Sequence, residues 1–216
     1  MTARPTLLLA LDTSTSIASV ALFDGQRVLS ETTWLAGREH STRLLVEVEG
    51  ALERVGRATD DLTGLVVARG PGSFTGVRVA LSVAKGIAAG LGVPVWGVSS
   101  LDVLALAAGE TALPVRTVLE AGRGRYATAL YVGGACVEAP VLTTVEQLRE
   151  RIVEPTVLLG ELSAEARAAL ETHPHARLAP RSAGLRRAGF LAELGWRLAD
   201  AGDPGDASAL DASYIS

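Results

Sequence analysis

Thr6-Leu7-Leu8-Leu9-Ala10-Leu11-Asp12-Thr13-Ser14-Thr15-Ser16-Ile17-Ala18-Ser19-Val20-Ala21-Leu22-Phe23-Asp24-Gly25 is the stretch on which the fold turns. Residues 6–12 are short, apolar and end in a polar turn, as a buried strand does. Four hydroxyl residues, Thr13 to Ser16, make that turn, and residues 17–23 return as a second strand. Asp24-Gly25 is a hairpin signal, because both residues tolerate positive φ. Residues 27–34 alternate well enough for a third strand. The chain therefore opens with a strand, a tight turn and an antiparallel hairpin.

Outward from this hairpin the period changes. Leu44, Leu45, Val48, Leu52 and Val55 recur at three- and four-residue spacing, which predicts a helix over 41–55. A strand follows over 62–68, then a glycine-rich loop, a second helix over 76–91 and a strand over 93–98. Ser99 or Ser100 caps a third helix through residue 108. The order β-β-β-α-β-α-β-α predicts an α/β fold whose mixed sheet carries helices on its faces. Beyond it, strands are expected at 115–121 and 126–132 around the turn Gly122-Arg123-Gly124-Arg125, and a short one at 156–159. Helices are expected at 143–152, 164–171 and 185–201. A lobe boundary falls between 109 and 114, giving lobes 1–109 and 110–216.

Length and composition bound the function. The 216 residues are 48% hydrophobic and 20% charged, enough for one large domain or two small lobes. The net charge of −4 comes from 24 acids against 20 bases, which speaks against a chain that grips nucleic acid alone. The tightest basic group is Arg181, Arg186 and Arg187, and a solvated surface explains it as well as an RNA contact does. Cys136 is the single cysteine, so no intramolecular disulfide forms, as expected in the cytoplasm. No secretory signal is read, and no membrane span is expected. The most apolar stretch, 77–98, is interrupted by Arg78, Lys85 and Pro94.

Few residues offer chemistry. Asp12 with Thr13, Ser14, Thr15 and Ser16 could cradle a phosphate, with Asp12 holding a cation through water. The same side chains could equally satisfy their own turn. Gly70-Pro71-Gly72-Ser73-Phe74-Thr75-Gly76 follows a strand and opens a helix, the context of an anion site. It matches neither the Walker A loop nor the dinucleotide fingerprint, and the alternative reading of its glycines is a sharp turn packed on the sheet. His40 could act as a base or ligand, or cap a helix. His173 and His175 read as a solvated loop, and no ligand cluster for a metal is present. No nucleophile elbow occurs, Ser73 lacks an identifiable base, and Glu120 is a lone acid; no catalytic residue is assigned. The helix over 76–91 is apolar nearly all round, so it needs cover on two sides, and a protein partner is one source of it.

Four segments together resemble the TsaB family, also called YeaZ. They are Ala10-Leu11-Asp12-Thr13-Ser14-Thr15, Arg38-Glu39-His40-Ser41, Arg69-Gly70-Pro71-Gly72-Ser73-Phe74-Thr75-Gly76-Val77-Arg78 and Gly97-Val98-Ser99-Ser100-Leu101. The resemblance implies the actin, Hsp70 and sugar-kinase (ASKHA) fold, with two lobes of related topology. It implies a non-catalytic scaffold subunit that activates a TsaD-type catalytic partner and works with a TsaE-type ATPase. Together they transfer a threonylcarbamoyl group to adenosine beside the tRNA anticodon, tRNA being met through the complex. The resemblance also implies a homodimer when the chain is alone, formed through the first two helices. Leu44, Leu45, Val48, Leu52, Val77, Leu81, Ala84, Ile87 and Ala88 are the expected partner interface. No cofactor is assigned; ATP or ADP is the ligand the fold would place on Asp12, Ser14, Gly70, Gly72 and Ser73. The alternatives are a phosphotransferase of the sugar-kinase type, which needs a second-lobe acid, and a metallopeptidase, which needs a ligand set.

Overall fold

The computed structural model describes residues 6–36, 40–213 and 215, with residues 40–42 described by backbone alone. The chain divides into two compact units. The first is Met1–Ser99 with Arg187–Ser213, and the second is Ser100–Arg186 with Tyr214–Ser216. The boundary thus falls at Ser99/Ser100 rather than at 109/110, and the chain crosses back at Arg187. Helix packing decides this: the apolar face of a C-terminal helix is buried against the first sheet.

The first unit holds strands β1 (Leu8–Asp12), β2 (Ile17–Phe23), β3 (Val28–Leu35), β4 (Gly64–Ala68) and β5 (Val95–Val98) in the order β3-β2-β1-β4-β5. β1 pairs antiparallel with β2 and parallel with β4. Helices α1 (His40–Arg54) and α2 (Phe74–Leu91) pack on one face, with Leu44, Val48, Leu52, Val77, Leu81 and Ala84 on Leu9, Leu11, Val20 and Leu65. α2 begins two residues before the sequence reading, because the Ser73 hydroxyl accepts a hydrogen bond from Gly76 N and caps it. It ends at Gly92, in the left-handed conformation (φ 68°) that glycine tolerates. By length and apolarity α2 could cross a membrane, yet six of its residues are buried in this unit. The opposite face carries a helix over Ala188–Asp200, numbered α6 below, whose Gly195 lies against Val66 and whose Trp196 meets Phe23 edge to face.

The second unit begins with α3 (Ser100–Ala107). Its strands are β6 (Val115–Glu120), β7 (Tyr126–Val132), β8 (Ala135–Thr143), β9 (Thr156–Gly160) and β10 (Ala176–Leu178). Their order is β10-β9-β6-β7-β8, with β6 antiparallel to β7 and parallel to β9. Read from β8, this is the order and the pairing sense of the first sheet. α3 covers one face; α4 (Val145–Glu150) and α5 (Ala164–Glu171) cover the other. The helix expected at 185–201 is α6, which starts at Ala188 after a 3-10 turn at Arg181–Gly184. β8 and β10 escaped the sequence reading. β8 is a largely exposed edge strand that contains Pro140, and β10 has three residues, so neither carries a clear alternation.

Candidate functional site

The two phosphate-loop candidates are brought together, but against each other. Asp12, Thr13, Ser14 and Thr15 are buried, with Asp12 1% exposed and Ser14 0%. Ser14 N and Oγ both donate to Asp12 Oδ1, at 2.8 and 2.5 Å. Ser73 N donates to Ser14 O at 2.5 Å, and Thr13 Oγ1 donates to Gly76 O at 2.6 Å. A Cβ on Gly72 would stand 2.0 Å from Ser14 O, and one on Gly76 would stand 2.0 Å from Thr13 O. These two glycines thus let two backbones touch. Gly70, at φ 96°, lies before a cis Pro71. The donors a phosphate would use at Ser14 and Ser73 are engaged within the protein.

The nine expected interface residues separate into two groups. Leu44, Val48, Leu52, Val77, Leu81, Ala84 and Ala88 are buried in the first unit's own core and are not presented to a partner. The spacing that selected them marks the inward face of each helix, which a sequence pattern cannot distinguish from an outward one. Leu45 stays 47% exposed, and Ile87 is partly exposed. The open surface of α1 and α2 is made of other residues: Val46, 60% exposed, and Ser82, Gly86, Ala89 and Gly90. Phe74 is also exposed, beneath the Arg78 guanidinium at 3.8 Å from its ring centre.

Arg38 and Glu39 lie outside the described residues, as do the side chains of His40 and Ser41. His173 and His175 sit in one loop with rings 6.0 Å apart, and His173 Nδ1 accepts a hydrogen bond from His175 N. Among the described residues no group of three or more His, Cys, Asp or Glu side chains is placed to hold a metal. Of the arginine group, Arg186 is buried and pairs with Glu161 at 2.5 Å, and Arg187 pairs with Glu31. Only Arg181 stays exposed without a partner among the described residues.

Two buried polar groups in the second unit went unread in the sequence. Arg116 on β6 is 1% exposed. Its Nη2 donates to Glu138 Oε1 on β8 at 3.1 Å and stands 3.0 Å from Oε2, an ion-pair distance without hydrogen-bond alignment. Arg151 Nη1 lies 3.5 Å from the same Oε2. Arg116 Nε and Nη1 have no partner among the described residues. The available signal was an arginine inside a strand otherwise made of Val115, Thr117, Val118 and Leu119. Tyr131 Oη donates to Asp102 Oδ1 at 2.6 Å, and burial followed by that carboxylate raises the phenol far above its ordinary range. Burial, then Asp102, also pushes up the exposed Cys136 thiol, which keeps it protonated and a poor nucleophile.

The comparisons agree with this architecture. The family model of TsaD, tRNA N6-adenosine threonylcarbamoyltransferase, matches residues 34–170. The tRNA threonylcarbamoyladenosine biosynthesis protein TsaB of Bacillus subtilis is 36% identical over 124 residues, covering 57% of this chain and 54% of that protein. The chain spans about half the length of the curated relatives it matches. YeaZ from Pseudomonas aeruginosa superposes with a TM-score of 0.79 at 28% identity, over 97% of this chain and 100% of that one. The ROK hexokinase of Thermus thermophilus reaches 0.50 at 17% identity, over 88% and 99%, which speaks for a sugar-kinase-like fold and nothing more. The model match over more than half the chain, the identity to TsaB and the whole-chain likeness to YeaZ lead to one assignment: the chain belongs to the TsaB (YeaZ) family.

Proposed function

We propose that this chain is a non-catalytic subunit of the machinery that transfers a threonylcarbamoyl group to the adenosine beside the tRNA anticodon. It acts in the cytoplasm with a TsaD-type catalytic subunit and a TsaE-type ATPase. The observation that carries the reading is the likeness to YeaZ over nearly the whole chain, together with the identity to TsaB. A supporting role fits the first unit, where the Ser14 turn and the Gly70–Gly76 loop close on each other through backbone contacts instead of opening a phosphate cradle. The sugar-kinase alternative has the fold in its favour, but the same contacts weigh against it.

The partner sits, in this proposal, on the open surface of α1 and α2, where Leu45, Val46 and Ile87 stand beside Ser82, Gly86 and Gly90. Small residues there let another helix approach closely. A second copy of the chain occupies this surface when the catalytic subunit is absent. The test is threonylcarbamoyl-adenosine formation on tRNA by the TsaD-type and TsaE-type subunits, with and without this chain. Formation that needs the chain supports the proposal, and formation indifferent to it sinks the proposal. Val46→Asp should leave folding intact and abolish the product formation that the wild-type chain supports. Ala84→Asp is no probe of the surface, because Ala84 is fully buried.

A further inference from the structure

The tip of the β6–β7 hairpin combines two unusual features. Gly122, Arg123 and Gly124 all take positive φ, at 74°, 55° and 69°. The turn closes through its own backbone: Ala121 N donates to Arg125 O at 2.8 Å, and Arg125 N donates to Gly122 O at 3.1 Å. Glycine adopts this conformation freely, whereas a residue with a Cβ is disfavoured there. Arg123 is the one non-glycine residue with positive φ among the described residues. Strain retained where glycine would relieve it is a reason to ask what the side chain does.

Inside the protein the Arg123 side chain does nothing that is visible. It is exposed, as is Arg125, and neither guanidinium has a hydrogen bond or ion pair among the described residues. Other arginines are tied down: Arg54 to Ser30 and Thr32, Arg116 to Glu138, Arg186 to Glu161, Arg187 to Glu31. Arg181, toward the same end of this unit's sheet, is also without a partner among the described residues. Its 3-10 turn packs through Gly184 onto Gly160 O at the end of β9, and β9 runs parallel to β6. β6 enters the hairpin at that same end. Exposed Glu120 opposes these three cations, while Glu161 is already taken by Arg186. Glu146 and Glu165, exposed in the first turns of α4 and α5, also lie toward this end, so the three arginines are set apart by guanidiniums without a partner among the described residues and not by a net surplus of charge.

We propose that Arg123 and Arg125, with Arg181 at the same end of the sheet, contact the phosphodiester backbone of the tRNA; this rests on the function proposed above. Guanidinium forks match phosphate oxygens two by two. A Gly-Arg-Gly-Arg tip offers no apolar anchor of the kind that dominates protein–protein contacts, which favours RNA over an acidic protein surface. Two or three phosphate contacts are too few for tight binding by this chain alone, so the contact adds to those made by the catalytic subunit.

The experiment is an anisotropy titration of labelled, unmodified tRNA transcript against the complex of the full chain with its TsaD-type subunit, at several salt concentrations. The variant is Arg123→Gly with Arg125→Ser, and Arg181→Ser is measured separately. The double variant should weaken binding about tenfold at low salt and lower the slope of log K against log salt by about 1.4–1.8, at roughly 0.7–0.9 per phosphate. Its melting temperature should be unchanged or higher, since glycine relieves the turn. Unchanged affinity and slope would overturn the assignment. Lost assembly with unchanged RNA affinity would also overturn it, in favour of an acidic protein partner. A wild-type complex that neither binds nor modifies tRNA would overturn the proposed function as well, whereas an active wild type with indifferent variants sinks the hairpin contact alone.

Discussion

Removing Glu138 should harm this protein far more than removing the arginine it neutralises. Arg116 is 1% exposed, its Nη2 reaches both Glu138 oxygens at 3.1 and 3.0 Å, and its Nε and Nη1 have no other partner among the described residues. Glu138→Ala leaves that guanidinium buried without a counter-charge. Breaking a buried pair in this way costs about 3–5 kcal/mol. The Glu138 side chain is 40% exposed, so part of the pair already feels water, and about 2–3 kcal/mol is the better expectation. Arg116→Met keeps the volume and removes the buried charge. Glu138 is then free to rehydrate and retains Arg151, so the change should lie within ~1 kcal/mol of wild type on either side. In the Arg116→Met background, Glu138→Ala should cost less than ~1 kcal/mol, which makes the coupling about 2 kcal/mol. All three tryptophans, Trp34, Trp96 and Trp196, fall in the first unit, so their fluorescence does not report on this site. Urea-dependent amide exchange of β6, β7 and β8, read by mass spectrometry, does. If Arg116→Met were as damaging as Glu138→Ala, or the double variant no better than Glu138→Ala, the picture of a buried cation held by one carboxylate would be wrong.

Four further outcomes follow from the same contacts. Gly76→Ala, a change that stabilises most helix interiors, should cost more than ~3 kcal/mol in chemical denaturation, because its Cβ would meet Thr13 O at 2.0 Å. Gly86→Ala meets nothing within 4 Å in the same helix and, at dilutions where the chain is monomeric, should stabilise it by about 0.5–1 kcal/mol, seen as a higher urea midpoint. Arg123→Gly should raise stability by about 0.5–1 kcal/mol by relieving its left-handed φ, measured the same way. Tyr131 is a proton-linked case. Its phenol is raised in the folded state, so the stabilisation is fully present below the ordinary tyrosine pKa of 10.0 and declines as pH rises above it, where the unfolded chain ionises first. Tyr131→Phe should cost about 1.5–3 kcal/mol at neutral pH and make the alkaline limb of the stability–pH curve shallower by one proton.

The first unit was legible in the sequence because its signals are local. Asp24-Gly25 marked the hairpin, and the three- and four-residue spacing from Leu44 to Val55 marked α1. The chemistry of Gly70–Gly76 placed a strand-to-helix turn where Ser73 caps α2. The second unit was only partly readable. β8 lies at a sheet edge, is mostly exposed and contains Pro140, so its residues are under no pressure to alternate. The candidate site was half legible. Sequence alone put Asp12 and the glycine loop in the right secondary context, but not in contact.

What the sequence determined by itself was the element order of the first unit, the glycine-loop signature and, through them, the family. Those features rest on backbone preferences and periodicities that act over a few residues. Tertiary structure alone decided four things. α6 returns to the first sheet, because Gly195 gives Val66 room to approach. Leu44, Val48 and Ala84 face inward while Val46 and Gly86 face outward, because a helix apolar on both sides is oriented by which side finds a sheet. The Thr13–Thr15 turn closes on the glycine loop, with Thr13 bonded to Gly76, 63 residues away. The two sheets share one strand order although the sequence shows no repeat, because strand pairing is backbone chemistry and many side-chain sets satisfy it.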